Sequence, residues 1–450
     1  MVEKTNSLTR RHSNVATELK PSRLSSFWTR TVSTVILIGV FLGVIAAGHV
    51  PLMFMILGIQ AMMVRELFAL ARVSQQENKL PGFRAQQWYF FGVATLWVYI
   101  RFIIHNLSVE LSGHARAAHL LGWVIKHHTI LCFSLYTAGF VSFVLTLKKG
   151  MYTYQFQQYG WTHMILLVII LPSSFFVSNI FDGLIWFLLP TLLVITNDIV
   201  AYLAGFFFGR TPLIKLSPKK TWEGFIGGLL GTVILSWFLA KYMSQWSWFT
   251  CPRSDLSIIQ DLSCNDMPPI YTPQTYYASN VLGSLPPSVM DVVQHVLSHL
   301  PSGFQTWLRR ASITACPMQF HAVSLSIFAS LIAPFGGFFA SGFKRGFKIK
   351  DFGDSIPGHG GMTDRMDCQV IMAIFSYLYL NTYILAGGPS VGSVLAAAVR
   401  LSPEHQLEAF ARFANVLVGA KLLPPAVADA IAAHAQRHAQ VQRAAMGLKA

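Results

Sequence analysis

Apolar and polar residues along this chain fall into long blocks rather than alternating at strand period. Apolar runs close to the ~20 residues that cross a bilayer as a helix cover approximately 31–49, 51–71, 87–107, 126–147, 161–179, 182–208, 221–241, 321–341 and 369–388. The pattern predicts an all-α, polytopic transmembrane protein with about nine spanning helices. The first two runs nearly touch, so they form a tight hairpin or one of them is re-entrant. Residues 1–30 are polar and basic (Arg10, Arg11, Lys20, Arg23, Arg30) with no apolar core near the start. They read as a cytosolic tail, not a cleavable signal. Residues 31–390 form the membrane domain, interrupted by the long polar stretch 242–320. Beyond residue 391 the chain turns Ala-rich and mixed in charge. There Ser402-Pro403-Glu404 reads as a helix start, Leu407, Phe410, Ala411, Ala414 and Leu417 follow helical spacing, and Pro424-Pro425 stops the run. The segment 391–450 is expected to be an accessory helical tail.

Composition agrees with the pattern. Hydrophobic residues make up 53% of the 450 positions and charged residues only 12%, about half the share in an average soluble protein, and mean hydropathy is +0.48. So few charges cannot cover a solvated surface, which excludes an ordinary cytosolic enzyme, a disordered chain and a fibrous one. The net charge of +15 is mostly topology. With the N-terminus in the cytosol, loops 72–86, 148–160, 209–220 and 342–368 are cytosolic and hold most of the loop cations, while the stretch 242–320 is lumenal and poor in them, as the positive-inside rule requires. Five cysteines show neither a CxxC pair nor zinc spacing. Cys251 and Cys264 share the lumenal loop and could pair there.

Two polar clusters interrupt the apolar chain. The first runs from Asn197-Asp198 through Gly209-Arg210 to Ser217-Pro218-Lys219-Lys220-Thr221-Trp222-Glu223-Gly224. Asp198 lies inside an apolar helix, where an ionised carboxylate is costly unless paired or bound to a cation. Glu223 is either functional or a partner for the dipole of the following helix. The second cluster, residues 341–367, brings together the cations Lys344, Arg345, Lys350 and Arg365, the acids Asp351, Asp354, Asp364 and Asp367, and the turn Pro357-Gly358-His359-Gly360-Gly361. Asp364 and Asp367 stand at i and i+3 on one helix face. Backbone N–H groups at Gly358, Gly360 and Gly361 are free to approach an anion. Carboxylates that hold a divalent ion beside phosphate-binding cations are the tools of metal-assisted phosphoryl or nucleotidyl transfer.

The stretch from Ser341 to Asp367 resembles the signature of the phosphatidate cytidylyltransferases (CDP-diacylglycerol synthases), and the block from Asn197 to Gly224 is similar to that family's second recognisable segment. The likeness is to the eukaryotic branch and covers roughly residues 30–423. Prokaryotic members carry Gly-Asp just before the signature Ser; here the positions read Gly336-Gly337. The resemblance implies an enzyme joining CTP to phosphatidic acid, with Mg²⁺ as cofactor, giving CDP-diacylglycerol and pyrophosphate for phospholipid synthesis. It implies metal binding by Asp364 and Asp367 first and Asp198 second. Lys219, Lys220, Lys344, Arg345 and the glycines Gly358, Gly360 and Gly361 are candidates for the substrate phosphates. Lys350, Asp351, His359 and Arg365 are the catalytic candidates, His359 either touching pyrophosphate or shaping its turn. The expected setting is an internal membrane, the endoplasmic reticulum, with the site facing the cytosol. No nucleic-acid partner is expected, and a homodimer is compatible with the family. Two rivals use similar tools: a CTP-dependent polyprenol or phytol kinase, and a transporter of phosphorylated solutes.

Overall fold

A computed structural model describes residues 23–70, 82–107, 115–252, 268–278, 311–385 and 401–445, with a few isolated positions between these stretches. The architecture is all-α. Helices α1 (Arg23–Ala47), α2 (His49–Leu70), α3 (Phe83–Leu107), α4 (Ala115–Leu145), α5 (Tyr152–Phe181) and α6 (Leu184–Phe208) lead into a short antiparallel hairpin, β1 (Pro212–Ile214) and β2 (Ser217–Thr221). Helix α7 (Trp222–Met243) follows. A second hairpin, β3 (Gln274–Tyr277) with β4 (Ser312–Ala315), precedes α8 (Pro317–Leu331) and α9 (Pro334–Gly346). Helix α10 (Thr363–Tyr379) continues as a π-helical turn over Leu380–Ile384, and α11 (Pro403–Gly419) packs on α12 (Pro425–Ala445).

Among the described residues, seven helical stretches are long and apolar enough to cross a membrane, the last spanning α8 and α9 together with the short turn between them. That is two fewer than the nine runs expected from hydropathy. The other two runs are helical too, but α3 carries Arg84 and Arg101 and α10 is short, with Asp364, Arg365 and Asp367 at its start. The first two runs resolve as a hairpin: Gly48, at φ 102°, reverses the chain between α1 and α2, a conformation that suits glycine.

The bundle is apolar outside and carries polar contacts within, as a bilayer demands. Phe133, Leu167, Phe206 and Phe238 are exposed, whereas Gln60, Gln87, Gln158 and Ser326 are buried. Gln87 donates to Gln158 at 3.4 Å and to the Thr162 hydroxyl at 3.2 Å. Helices α6 and α7 pack face to face through small residues: a Cβ at Gly224, Gly227, Gly228 or Gly231 would collide with Ala201, Ala204, Asn197 or Val200. Helix α10 runs antiparallel to α6. Gln369 donates to the Thr191 carbonyl at 3.2 Å and, further along, Ser376 to the Trp186 carbonyl at 2.9 Å.

The two ends of the bundle differ in chemistry. At one end meet the start of α1, the end of α2, the β1–β2 hairpin and the loop before α10. At the other, His49 approaches Phe181, and Trp186 donates to the Tyr271 hydroxyl at 2.9 Å. Cys251, also at that end, is disulfide-bonded, while Cys132, Cys316 and Cys368 are free. Cys264 lies outside the described residues, as do the tail before residue 23 and most of the stretch 253–310.

Candidate active site

The loop between α9 and α10 is built by local backbone requirements. Lys348 takes a left-handed conformation (φ 56°) to end α9, and Ile349 N–H closes back on the Lys344 carbonyl at 3.0 Å. Phe352 is buried in the same apolar cluster as Phe68, Phe90 and Ile165, which anchors the loop on α2, α3 and α5. A bridge between Ile356 and Gly360 pinches off the glycine turn, where Gly358 and Gly360 both adopt positive φ.

Helix α10 then starts with two acids in different surroundings. Asp364 is satisfied: one oxygen pairs with Lys344, and the other accepts the N–H groups of Phe352 (2.9 Å) and Gly361 (3.2 Å). Both members of this ion pair are largely buried, 14% and 9% exposed at the side chain. Asp367 accepts the Cys368 N–H at 2.7 Å and interacts with the Cys368 side chain, and its other oxygen lies 3.5 Å from where a Cβ on Gly337 would stand. Asp198 interacts electrostatically with Asp367, Lys220 and Arg365, and Asp367 in turn with Lys344 and Lys220. Lys220 lies over the Phe338 ring, 4.4 Å from its centroid.

Thus Asp198, Lys220, Lys344, Asp364, Arg365 and Asp367, chosen from two segments some 150 residues apart, converge on one end of the bundle. Arg365 holds the glycine turn through the His359 carbonyl at 2.8 Å. The His359 ring sits between hydroxyls of α1, Ser33 at 3.1 Å and Thr34 at 3.2 Å. Gly360 leaves room for Asp351, whose carboxyl carbon lies 3.3 Å from the missing Cβ. Arg345 and Lys350 are exposed at the rim, Lys350 4.0 Å from Asp351. The Lys219 side chain lies outside the described residues. Glu223 is a loop fastener: it accepts the N–H groups of Arg210 and Thr211 at 3.1 Å and the Thr211 hydroxyl at 2.9 Å. Thr221 caps α7 by accepting the Gly224 N–H at 3.2 Å.

One acid escaped the sequence reading. Glu66, near the end of α2 and 5% exposed, reaches into the loop and accepts from the Ser355 hydroxyl, Met362 N–H (2.7 Å), Thr363 N–H (2.9 Å) and the Thr363 hydroxyl (2.7 Å). The signal that singled out Asp198, a carboxylate inside an apolar helix, applies equally to Glu66.

Among the described residues no three His, Cys, Asp or Glu side chains converge as a metal cage. The open pair Asp198 and Asp367 nevertheless fits Mg²⁺, which uses one or two carboxylates and takes its remaining oxygen ligands from water and substrate phosphates.

Comparison with known sequences identifies the family. A family model described as the cytidylyltransferase family matches residues 28–383. The chain is 46% identical over 397 residues to phosphatidate cytidylyltransferase 1 of Arabidopsis thaliana, covering 88% of this chain and 89% of that one. It is 41% identical over 408 residues to phosphatidate cytidylyltransferase 1 of Homo sapiens (90% and 82%). A putative phosphatidate cytidylyltransferase of Schizosaccharomyces pombe is 39% identical over 404 residues (89% and 85%).

Proposed function

This chain belongs to the cytidylyltransferase family, and on that premise we propose that it is a phosphatidate cytidylyltransferase that makes CDP-diacylglycerol and pyrophosphate from CTP and phosphatidic acid. A lipid phosphate oxygen attacks the α-phosphorus of CTP, a new P–O bond forms, and the bond to the β-phosphate oxygen breaks as pyrophosphate leaves. Both reactants are polyanions, so charge repulsion dominates the barrier, and preorganised cations lower it. The observation that carries this reading is the convergence at one end of the bundle of Asp198 and Asp367, within electrostatic reach of each other, with Lys220 and Arg365 acting on Asp198. Those two carboxylates would hold Mg²⁺, which when bound neutralises charge between the two anions; Asp364 would join them only by releasing Lys344. Lys220 and Arg365, with the turn at Gly358 and Gly360, take the phosphates, whereas the Gly361 N–H, expected from the sequence to be free for an anion, is already donated to Asp364. Arg345, Lys350 and Lys219 supply a cationic rim, with Asp351 bracing the turn. His359, held through its ring by Ser33 and Thr34, shapes the turn. No protein nucleophile is needed, because the lipid supplies it.

In the same reading the site faces the cytosol from the endoplasmic reticulum, where soluble CTP meets a lipid whose tails stay in the bilayer, and the enzyme works as a homodimer. The test is an assay of purified protein with labelled CTP, phosphatidic acid and Mg²⁺, each omitted in turn. CDP-lipid plus pyrophosphate is the expected product pair. Phosphorylated lipid plus CDP would mean a lipid kinase, and flux without nucleotide consumption a transporter; the family match supports neither.

A further inference from the structure

Five positions, Gly353, Ser355, Gly361, Met362 and Thr363, are shaped around one carboxylate nearly 300 residues earlier. Ser355 and Thr363 donate their hydroxyls to Glu66, and Met362 and Thr363 donate their backbone N–H groups. Gly353 and Gly361 have no room for a side chain because Glu66 fills it: a Cβ would stand 2.9 Å from Glu66 Cγ at Gly353 and 2.8 Å from Glu66 Oε2 at Gly361. The first N–H groups of a helix have no partner within it, and α10 has no capping side chain of its own, its N-cap being Met362. Glu66 supplies that cap from another helix. Gly361 is wedged between Glu66 and Asp364, its missing Cβ lying 3.0 Å from Asp364 Oδ2. The start of α10 is therefore gripped by two carboxylates, and Asp367 follows one turn later.

We infer that Glu66 is a positioning residue for the cytidylyl transfer. By capping α10 and seating the signature loop, it sets the axial position and roll of the helix that turns Asp367 toward Asp198. The inference rests on the function proposed above. Glu66 acts through the loop and α10, so its loss affects how the two acids are arranged and leaves lipid binding alone.

The test is Glu66→Gln in purified full-length protein, with amide hydrogen exchange measured beside kinetics. Glutamine keeps the shape but offers one acceptor and sets an NH₂ group against N–H donors. Exchange at Met362 and Thr363 is expected to quicken by about tenfold or more, with α6 and α7 unchanged. Turnover should fall by roughly 100-fold, the loss that a misplacement near 1 Å brings. The Mg²⁺ concentration for half-maximal turnover should rise several-fold while the KM for phosphatidic acid holds. A smaller folded fraction would lower turnover without moving that Mg²⁺ requirement. Turnover close to the parent's, or faster exchange with an unchanged Mg²⁺ requirement, overturns the inference. Should Glu66→Gln not accumulate folded, Ser355→Ala carries the test: it removes one of the four hydrogen bonds and should raise the Mg²⁺ requirement and lower turnover by a smaller factor. Parent-like values for Ser355→Ala would then overturn the inference. If the parent itself makes no CDP-lipid, the proposed function fails instead, and the exchange measurement still reports whether Glu66 holds the loop.

Discussion

Asp364 and Asp367 are three residues apart on one helix, yet their environments assign them different work. Asp364 balances a buried lysine and two backbone donors, whereas Asp367 lies within electrostatic reach of a second carboxylate, Asp198, with one backbone contact of its own. Breaking a buried ion pair by removing one partner costs about 3–5 kcal/mol. Asp364→Asn should therefore lower the unfolding temperature in detergent markedly. Asp367→Asn and Asp198→Asn remove one of two mutually repelling charges, so the unfolding temperature should hold or rise. Their turnover should fall by at least ~100-fold, as when a group that stabilises transition-state charge is removed. Thermal unfolding measured beside turnover separates the two behaviours, and a stable, active Asp367→Asn protein would refute the assignment. At this scale the spacing of Asp364 and Asp367, and the position of Asp198 in an apolar run, were legible without coordinates. Which acid was already spent on Lys344 was not, because two aspartates of one motif differ only in their partners.

Helix α7 owes its place to glycines that let α6 approach. At Gly228 a Cβ would come within 2.8 Å of Asn197 Oδ1 and 2.9 Å of Ala201 Cβ, and Asn197 adjoins Asp198. Gly228→Val should push α7 off α6, at an overpacking cost of about 1–3 kcal/mol, and lower turnover at least tenfold by displacing Asp198 from Asp367. Gly58→Ala in α2 meets nothing within 4 Å and gains helix propensity worth up to about 1 kcal/mol, so it should keep parent activity with equal or greater stability. Unfolding temperature and turnover of both variants check the comparison; equal losses would show that the interface is not what orders Asp198. The helices themselves could be read from hydropathy, and the hairpin of α1 and α2 from the closeness of their apolar runs. The β1–β2 hairpin could not, since its strands are only three and five residues long and its shape depends on Glu223 bonding back to Arg210 and Thr211.

Across the whole molecule, both polar clusters lie at one end of the bundle, and the disulfide-bonded Cys251 with the β3–β4 hairpin at the other. If the site end faces the cytosol, a membrane-impermeant maleimide applied from that side should label Lys215→Cys and leave Tyr277→Cys unmodified until the membrane is permeabilised. Cys132, Cys316 and Cys368 are buried, so background labelling stays low. The reverse pattern would invert the topology. From the chain alone came the all-α membrane class, the two reactive segments and the residue types suited to phosphate and metal, because hydropathy and the cost of charge in lipid are local properties. Only the folded arrangement decided that Asp198 comes within electrostatic reach of Asp367, that Asp364 pairs with Lys344, and that Glu66 caps a helix some 300 residues downstream. Those are pairings across distant helices, and a carboxylate's role follows from the groups that surround it.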